Sequence, residues 1–451
     1  MSVRLRKVAH TMLTSAVRFA VSGVMAIVIA RTLGPQGRGG YAVLVTIAAT
    51  AVTLGHLSID ASHTSLWANA RARDFAAIAT NSLLFGVVAG TLAAAASAIA
   101  VVALGPGIVP VPGYGMLALA LLAIPCNLTV FYLNTVLVLR ERIEAVNWSG
   151  VLAVCVPCVL LLVLAALGHP TLGSVVGLWT LSAAVPLAVL IPAVRPRLRD
   201  RDLALARRAL GIGLRYHIGS TSLFLLLRAD ILILNAFAPA AAVGLYAVAV
   251  TLVELTRVGA DAIAQVILSE QMDGDHDIAA ALTARITRLN VLLAVGSTGL
   301  MCAAAPLLIP VVYGAAFGAS VGPLLGLAPG LIALSLTRMI SAFLLRLNRP
   351  VLRSGTAVVA LVVNVALNLL LIPRYGIMGC AVASSVSYCA LAGLYVLWFR
   401  KATGTPVRRL VPGRAELRYF ADTWAGWRAS SRSAGSAGPP LVEQPESGAQ
   451  R

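Results

Sequence analysis

Charge is scarce in this chain, and negative charge most of all. Only 12% of its 451 residues are charged, 17 of them Asp or Glu against 35 Lys or Arg. A soluble domain carries about twice that share, so a water-facing globular surface is excluded. Strand-like alternation of polar and apolar residues is missing, which excludes a membrane barrel. There is no Walker loop, which argues against intrinsic ATP hydrolysis. The six cysteines (Cys126, Cys155, Cys158, Cys302, Cys380 and Cys389) all lie inside apolar runs and offer no disulfide framework. Cys155-Val-Pro-Cys158 has redox or zinc spacing, but with no His nearby it reads as apolar packing. Arg4, Arg6 and Lys7 precede the first apolar stretch as in a signal peptide. No small-residue cleavage site follows, so this stretch reads as an uncleaved first span.

What is present is apolar length. Hydrophobic residues make up 59% of the chain, and the mean hydropathy is +0.89. Apolar runs of about 20 residues recur, the length that crosses a bilayer as a helix, and helix is forced because lipid cannot satisfy open backbone groups. The expected fold is therefore an all-α integral membrane protein. Twelve spans fit, at roughly 9–31, 39–62, 78–104, 114–138, 147–168, 172–194, 209–236, 241–266, 289–313, 319–345, 351–373 and 376–399.

The net charge of +18 is set out by topology rather than for nucleic acid. Connectors after odd-numbered spans hold only Arg31, Arg38 and Arg374. Those after even-numbered spans hold Arg71, Arg73, Arg140, Arg142, the linker "RPRLRDRDLALARR" (195–208), Arg285, Arg288, Arg346, Arg349 and Arg353. The positive-inside rule then puts the even connectors and both termini in the cytoplasm of a plasma or inner membrane. The expected organisation is a six-helix bundle over 1–194, a basic linker over 195–208, a second six-helix bundle over 209–399 and a basic tail over 400–451. Most of that tail is compositionally disordered, with "RAELRYFADTWAGWR" (414–428) suited to a helix at the headgroup interface.

The halves repeat one another. "GGYAVLVT" (39–46) returns as "GLYAVAVT" (244–251), an offset of 244 − 39 = 205. Ser149-Gly150 returns as Ser354-Gly355 at the same offset, and Gly173 as Gly379 at 206. Each half has an even number of spans, so both enter the membrane in the same sense. Such parallel repeats build transporters whose two bundles rock about a central site.

Ionisable residues inside spans are costly and mark pathways. They gather in spans 1, 2, 7 and 8. Thr11, Ser15, Arg18 and Ser22 share one helical face; His217, Thr221 and Arg228 share another; Glu254, Arg257, Asp261 and Gln265 form a stripe. The charges do not obey the repeat: Arg18 maps onto Leu223 and Glu254 onto Ala49. Arg18, Arg215, Arg228, Arg257 and Arg338 outnumber Asp230, Glu254 and Asp261. An arginine-rich cavity suits phosphate, whose oxygens the guanidinium fork holds bidentately. The expected substrate-binding residues are Arg18, Arg228, Arg257, Arg338, Ser15 and Thr221. Glu254, Asp230 and Asp261 are the candidates for binding a coupling H+ or Na+. Against this stand local readings: Glu254, Arg257 and Asp261 neutralise one another by spacing, and Arg215 snorkels to the inner surface. Arg228 and Asp230, two apart, each need another partner. His56, Asp60 and His63 have ligand spacing, but a polar helix end explains them better than a metal does. Pro125, Pro157, Pro310 and Pro323 are expected to kink their spans. No catalytic motif, cofactor or metal site is implied, and the short outer connectors leave no room for a catalytic domain.

Three stretches resemble a known family, the Wzx-type polysaccharide-biosynthesis flippases of the MOP exporter superfamily. They are "ARTLGPQGRGGYAVLV" (30–45), "RADILILNAFAPAAAVGLYAVAVTLVEL" (228–255) and "LNRPVLRSGTAVVALVVNVALNLLLIPRYGIMGCAVAS" (347–384), with Cys380 where the family usually has Ala. Span 2, "HLSIDASHTSLWAN", is more polar than the family's usual pattern. The resemblance implies a two-lobed, alternating-access transporter of MATE-like fold. It implies outward transfer of oligosaccharide linked to polyprenyl pyrophosphate, and it supplies no catalytic residues. Lipid II flippases share the motifs. A MATE-type multidrug exporter is the main rival, but organic cations would call for an acidic cavity. A membrane-embedded glycan-assembly enzyme is the weakest alternative.

Overall fold

The computed structural model describes the backbone of residues 3–67, 72–273, 276–346 and 350–413. It describes the side chains of 10–67, 74–256, 278–344 and 351–413. The expected interfacial helix at 414–428 lies outside the described residues, as do the side chains of Arg257, Asp261 and Gln265.

Every long element among the described residues is an α-helix. The first half holds α1 (Val3–Gly55), α2 (Ile59–Trp67), α3 (Ala72–Leu104), α4 (Tyr114–Leu121), α5 (Ala123–Leu139), α6 (Ile143–Ala166), α7 (Leu172–Ala184) and α8 (Leu187–Val194). The second half holds α9 (Leu203–Phe237), α10 (Ala240–Asp273), α11 (His276–Tyr313), α12 (Val321–Arg346) and α13 (Pro350–Thr403). Among the described residues, nine stretches are long and apolar enough to cross a membrane, and α10 adds a shorter apolar segment at Ala240–Thr256.

Glycine and proline decide where these helices break. As a straight rod, the 53 residues of α1 would be about 80 Å long, more than twice a bilayer core. Gly34 interrupts it with φ +64°, a conformation that side chains with a Cβ resist, and Pro35 follows. Gly376 does the same in the 54-residue α13, three residues after Pro373. The L-G-P and I-P-x-x-G stretches of the sequence are these two breaks. Of the four prolines expected to kink their spans, Pro125 accompanies a break. Span 4 breaks at Leu122, where Pro125 leaves the Leu121 carbonyl without its helical donor, and span 6 breaks beside Pro186. α6 and α11 run on through Pro157 and Pro310, and Pro323 sits in the first turn of α12, where the missing N–H costs nothing. Span 2 breaks between α1 and α2, with Leu57 and Ser58 both at positive φ.

Within the first half, α3 packs on α5, α1 on α6, and α5 on α7 and α8. Within the second, α13 packs on α9 and α12, and α11 on α12. The halves meet chiefly where α1 lies on α10 and α9, and α2 on α9. One crossing is tight: a Cβ on Gly39 would collide with the Ala240 carbonyl, and one on Gly244 with the Pro35 carbonyl. Since 240 − 35 also equals 205, this contact is its own image under the sequence repeat. It lies at the arginine-poor end of the helices. There the Arg31 guanidinium also donates to the Val311 and Val312 carbonyls, and Asn235 Nδ2 donates to the Pro110 carbonyl at 2.8 Å. At the arginine-rich end, Ser58 and Ser220 hydroxyls meet at 3.1 Å, and Gly213 lies against the Leu57 and Ser58 carbonyls.

Candidate functional site

Arg18 stands about 24 Å along α1 from the Gly34 break, deep within the span. Its guanidinium lies over Gly150 of α6: a Cβ there would come within 2.9 Å of Cζ and Nη1. Gly150 is thus the space that receives Arg18. Among the described residues no carboxylate pairs with Arg18, which is exposed. One to two turns away, Asn147 Nδ2 donates to Thr11 Oγ1 at 2.9 Å and stands 3.1 Å from His10 Nδ1, joining α6 to α1. Ser15 is exposed on the same helix.

Arg228 of α9 pairs with Glu254 of α10 at 2.7 Å, and the two side chains remain 33% and 43% exposed. Glu254 lies about 21 Å along α10 from its start. Hydrocarbon would be a costly surrounding for an ion pair that accessible. The local Glu254–Arg257 pairing therefore has a competitor from another helix that spacing alone could not reveal. Thr221 meets the His217 ring at 3.3 Å, and Arg338 is exposed on α12. Arg257 and Asp261 follow on α10, their side chains outside the described residues.

Asp230 is placed apart from this pair. It is 1% exposed, and its carboxylate accepts from Tyr246 Oη at 2.5 Å, Ser384 Oγ at 3.1 Å and the Ile231 amide at 2.8 Å. Asn364 Nδ2 reaches Ser384 Oγ at 3.5 Å, and Asn368 Nδ2 donates to Asn364 Oδ1 at 3.0 Å. Asn368 Oδ1 is buried without a donor. The result is an oxygen-rich buried cluster joining α9, α10 and both parts of α13. Sequence reasoning took Asp230 but missed Tyr246, Ser384, Asn364 and Asn368. The signal was available, since two asparagines four apart in an otherwise apolar run share a helix face and need a polar partner.

His56, Asp60 and His63 do not converge. His56 Nε2 is 3.3 Å from Asp60 Oδ1, and its ring stacks on Tyr132, whereas His63 is buried against Ser82 at 3.4 Å. Among the described residues no cluster of His, Cys, Asp and Glu is arranged to hold a metal.

Comparison with known proteins agrees with this architecture. Solved structures share it across nearly the whole chain. The lipid II flippase MurJ in an inward closed conformation superposes with TM-score 0.69 at 11% identity, covering 88% of this chain and 89% of that one. An inward-facing multidrug resistance MATE family transporter of the MOP superfamily gives 0.65 at 15% identity, covering 85% and 94%. A MOP superfamily transporter from Pyrococcus furiosus, described by the reverse polarity of its binding pocket, gives 0.62 at 15%, covering 88% and 94%. At such identities the likeness establishes the fold alone. No curated protein matches the chain in sequence. The family of polysaccharide biosynthesis proteins matches residues 5–268, well over half of the chain. The chain therefore belongs to the polysaccharide biosynthesis protein family.

Proposed function

We propose that the protein is a flippase that moves oligosaccharide linked to polyprenyl pyrophosphate from the inner to the outer leaflet. In this reading residues 1–194 and 209–399 are two six-helix lobes, twelve crossings in all, with both termini cytoplasmic. The arginine-poor end faces outward. The polar head passes between the lobes while the lipid tail stays in the bilayer. The observation that carries the reading is the cation left over at mid-span: Glu254 answers Arg228, and no described carboxylate answers Arg18. A pyrophosphate supplies the missing negative charge, and a guanidinium holds its oxygens two at a time. An inside-negative potential favours outward passage of an anion by about 2.3 kcal/mol per charge per 100 mV, so two unneutralised charges gain roughly 4–5 kcal/mol. No ATPase is needed.

The Asp230 cluster is the proposed seat of a coupling ion. A carboxylate, two hydroxyl oxygens, and an amide oxygen lacking a donor suit a proton or a sodium ion, a hard cation taking oxygen ligands. Tyr246 belongs to α10, so a cation there would bear on the helix that carries Glu254.

The test is Arg18→Ala and Arg228→Ala in a strain whose surface glycan needs this gene. Both variants are expected to lose surface glycan while the protein still reaches the membrane; normal glycan from both would discard the site. Deletion that alters drug resistance but not glycan would favour the MATE-type reading. Rescue of cell-wall synthesis in place of glycan would point to lipid II, whose headgroup shares the pyrophosphate.

A further inference from the structure

Arg38 was expected to be a connector charge in water. The structure buries it: only 8% of it is exposed, and its guanidinium reaches from the first half of the chain into the second. Nη2 donates to Thr251 Oγ1 of α10 at 3.3 Å, a long bond, and the Tyr41 ring lies 5.4 Å from Cζ. Nε is buried, and among the described residues no acceptor meets it. No described carboxylate pairs with it, and the titratable groups that bear on it are two phenols, Tyr41 and Tyr313. A buried guanidinium with one weak acceptor and no counter-ion is an incomplete arrangement, because its charge is desolvated without compensation.

Its place is equally informative. Thr251 lies seven residues past Gly244, about 10 Å along α10 beneath the tight crossing. Three residues further along, one helical turn, is Glu254 with its partner Arg228. The cation at Arg38 thus stands between the mid-span ion pair and the closed, arginine-poor end.

We infer that Arg38, with Thr251, is an oxyanion-binding station that receives a phosphate of the transported lipid before the arginine-poor end opens. This rests on the flippase reading above. A phosphate oxygen accepts charge-assisted bonds of about 2.7–2.9 Å, shorter and stronger than the present contact with a neutral hydroxyl. It would also occupy Nε, and the Thr251 hydroxyl, freed of Arg38, would turn its proton to the same anion from the Ala247 carbonyl, to which it now donates at 2.8 Å. The exchange breaks the one side-chain bond that Arg38 makes between the halves. Binding is therefore coupled to parting of the halves, since the anion favours the state in which Arg38 has left Thr251.

The test uses the full chain in liposomes, with its six cysteines replaced and one cysteine introduced at Ala42, buried one turn past the Gly39 crossing. The probes are inorganic pyrophosphate and a fluorescent polyprenyl pyrophosphate. In the parent both are expected to raise labelling of position 42 saturably. Arg38→Gln should abolish that rise and slow lipid transfer tenfold or more, while lipid binding from the arginine-rich side stays within twofold. Arg38→Lys, which keeps the charge without the fork, should raise the half-saturating pyrophosphate about tenfold, and serves if the glutamine variant fails to fold. Transfer by Arg38→Gln within twofold of the parent overturns the station. So does slowed transfer with the pyrophosphate-dependent labelling intact, which would make Arg38 purely structural. If the parent answers inorganic pyrophosphate but neither binds nor moves the lipid, the oxyanion site stands and the lipid substrate falls.

Discussion

Gly39 and Gly244 touch through their backbones, and each occupies in its own half the position that the other occupies in the second. A Cβ on either would enter the carbonyl of the residue four before its counterpart, Ala240 or Pro35. The repeated sequence is thus conserved between the halves at a contact that both halves make at once. Gly39→Ala and Gly244→Ala should therefore behave alike. Each is expected to cost about 1–3 kcal/mol of stability through forced separation of the helices. Each should also raise labelling of a cysteine at the buried position 42 several-fold. The double variant should cost less than the sum, because one separation relieves both collisions. Thermal unfolding and labelling rates measure this; an unequal pair would mean that the crossing is not the closure.

Gly150 and Gly355 are a second matched pair, with opposite expected outcomes. Arg18 fills the space over Gly150, whereas nothing lies within 4 Å of a Cβ built on Gly355. Gly150→Ala should displace the guanidinium and reduce transport toward the level of Arg18→Ala. Gly355→Ala should leave transport within twofold and gain the small helix-propensity benefit of alanine, up to about 1 kcal/mol. Transport assays on the two variants decide it.

Tyr41 and Tyr246 also share one place in the repeat but differ in partner. Tyr246 donates to the buried Asp230 carboxylate, and Tyr41 lies against Arg38. Removing the Tyr246 hydroxyl leaves a buried carboxylate short of a donor, so Tyr246→Phe should cost about 1–3 kcal/mol. It should also change the dependence of transport on sodium or pH. Tyr41→Phe keeps the ring under the cation and should cost less than about 0.5 kcal/mol. Equal losses from both would show that the carboxylate does not depend on this donor.

Much of the architecture was legible before any coordinates. Helix, membrane and the doubling of the chain follow from apolar run length and from one offset held over distant words. The breaks within α1 and α13 could be read from Gly34-Pro35 and from Pro373 with Gly376, since only glycine takes the required φ cheaply. Partners across helices were not legible. Spacing offers Glu254 only Arg257, whereas the structure also brings Arg228 of the preceding helix within 2.7 Å of it. Arg38 was misplaced for a related reason: a charge near a break looks like a connector charge, and only packing reveals that its long side chain turns inward. The prolines were legible in part: Pro125 accompanies a helix break as expected, while the helices stay continuous through Pro157 and Pro310, and Pro323 falls in a first turn, a placement that sequence gives only to within a few residues.

The Arg228–Glu254 pair separates stability from function. At 33% and 43% exposure its contribution to folding is that of a solvated pair, below about 1 kcal/mol, so neither single variant should unfold the protein. Their effects on anion binding should have opposite signs. Glu254→Gln removes a negative neighbour and leaves Arg228 seeking an acceptor, so inorganic pyrophosphate should bind several-fold more tightly and transfer should slow at release. Arg228→Gln leaves Glu254 facing the path alone, so pyrophosphate binding should weaken tenfold or more. Raising salt should shrink both differences, because the pair is accessible enough to be screened. Calorimetric titration of each variant with pyrophosphate at two ionic strengths measures all of this. Weakening by both substitutions alike would mean that the pair serves as a structural unit rather than as a cation held in check by its acid.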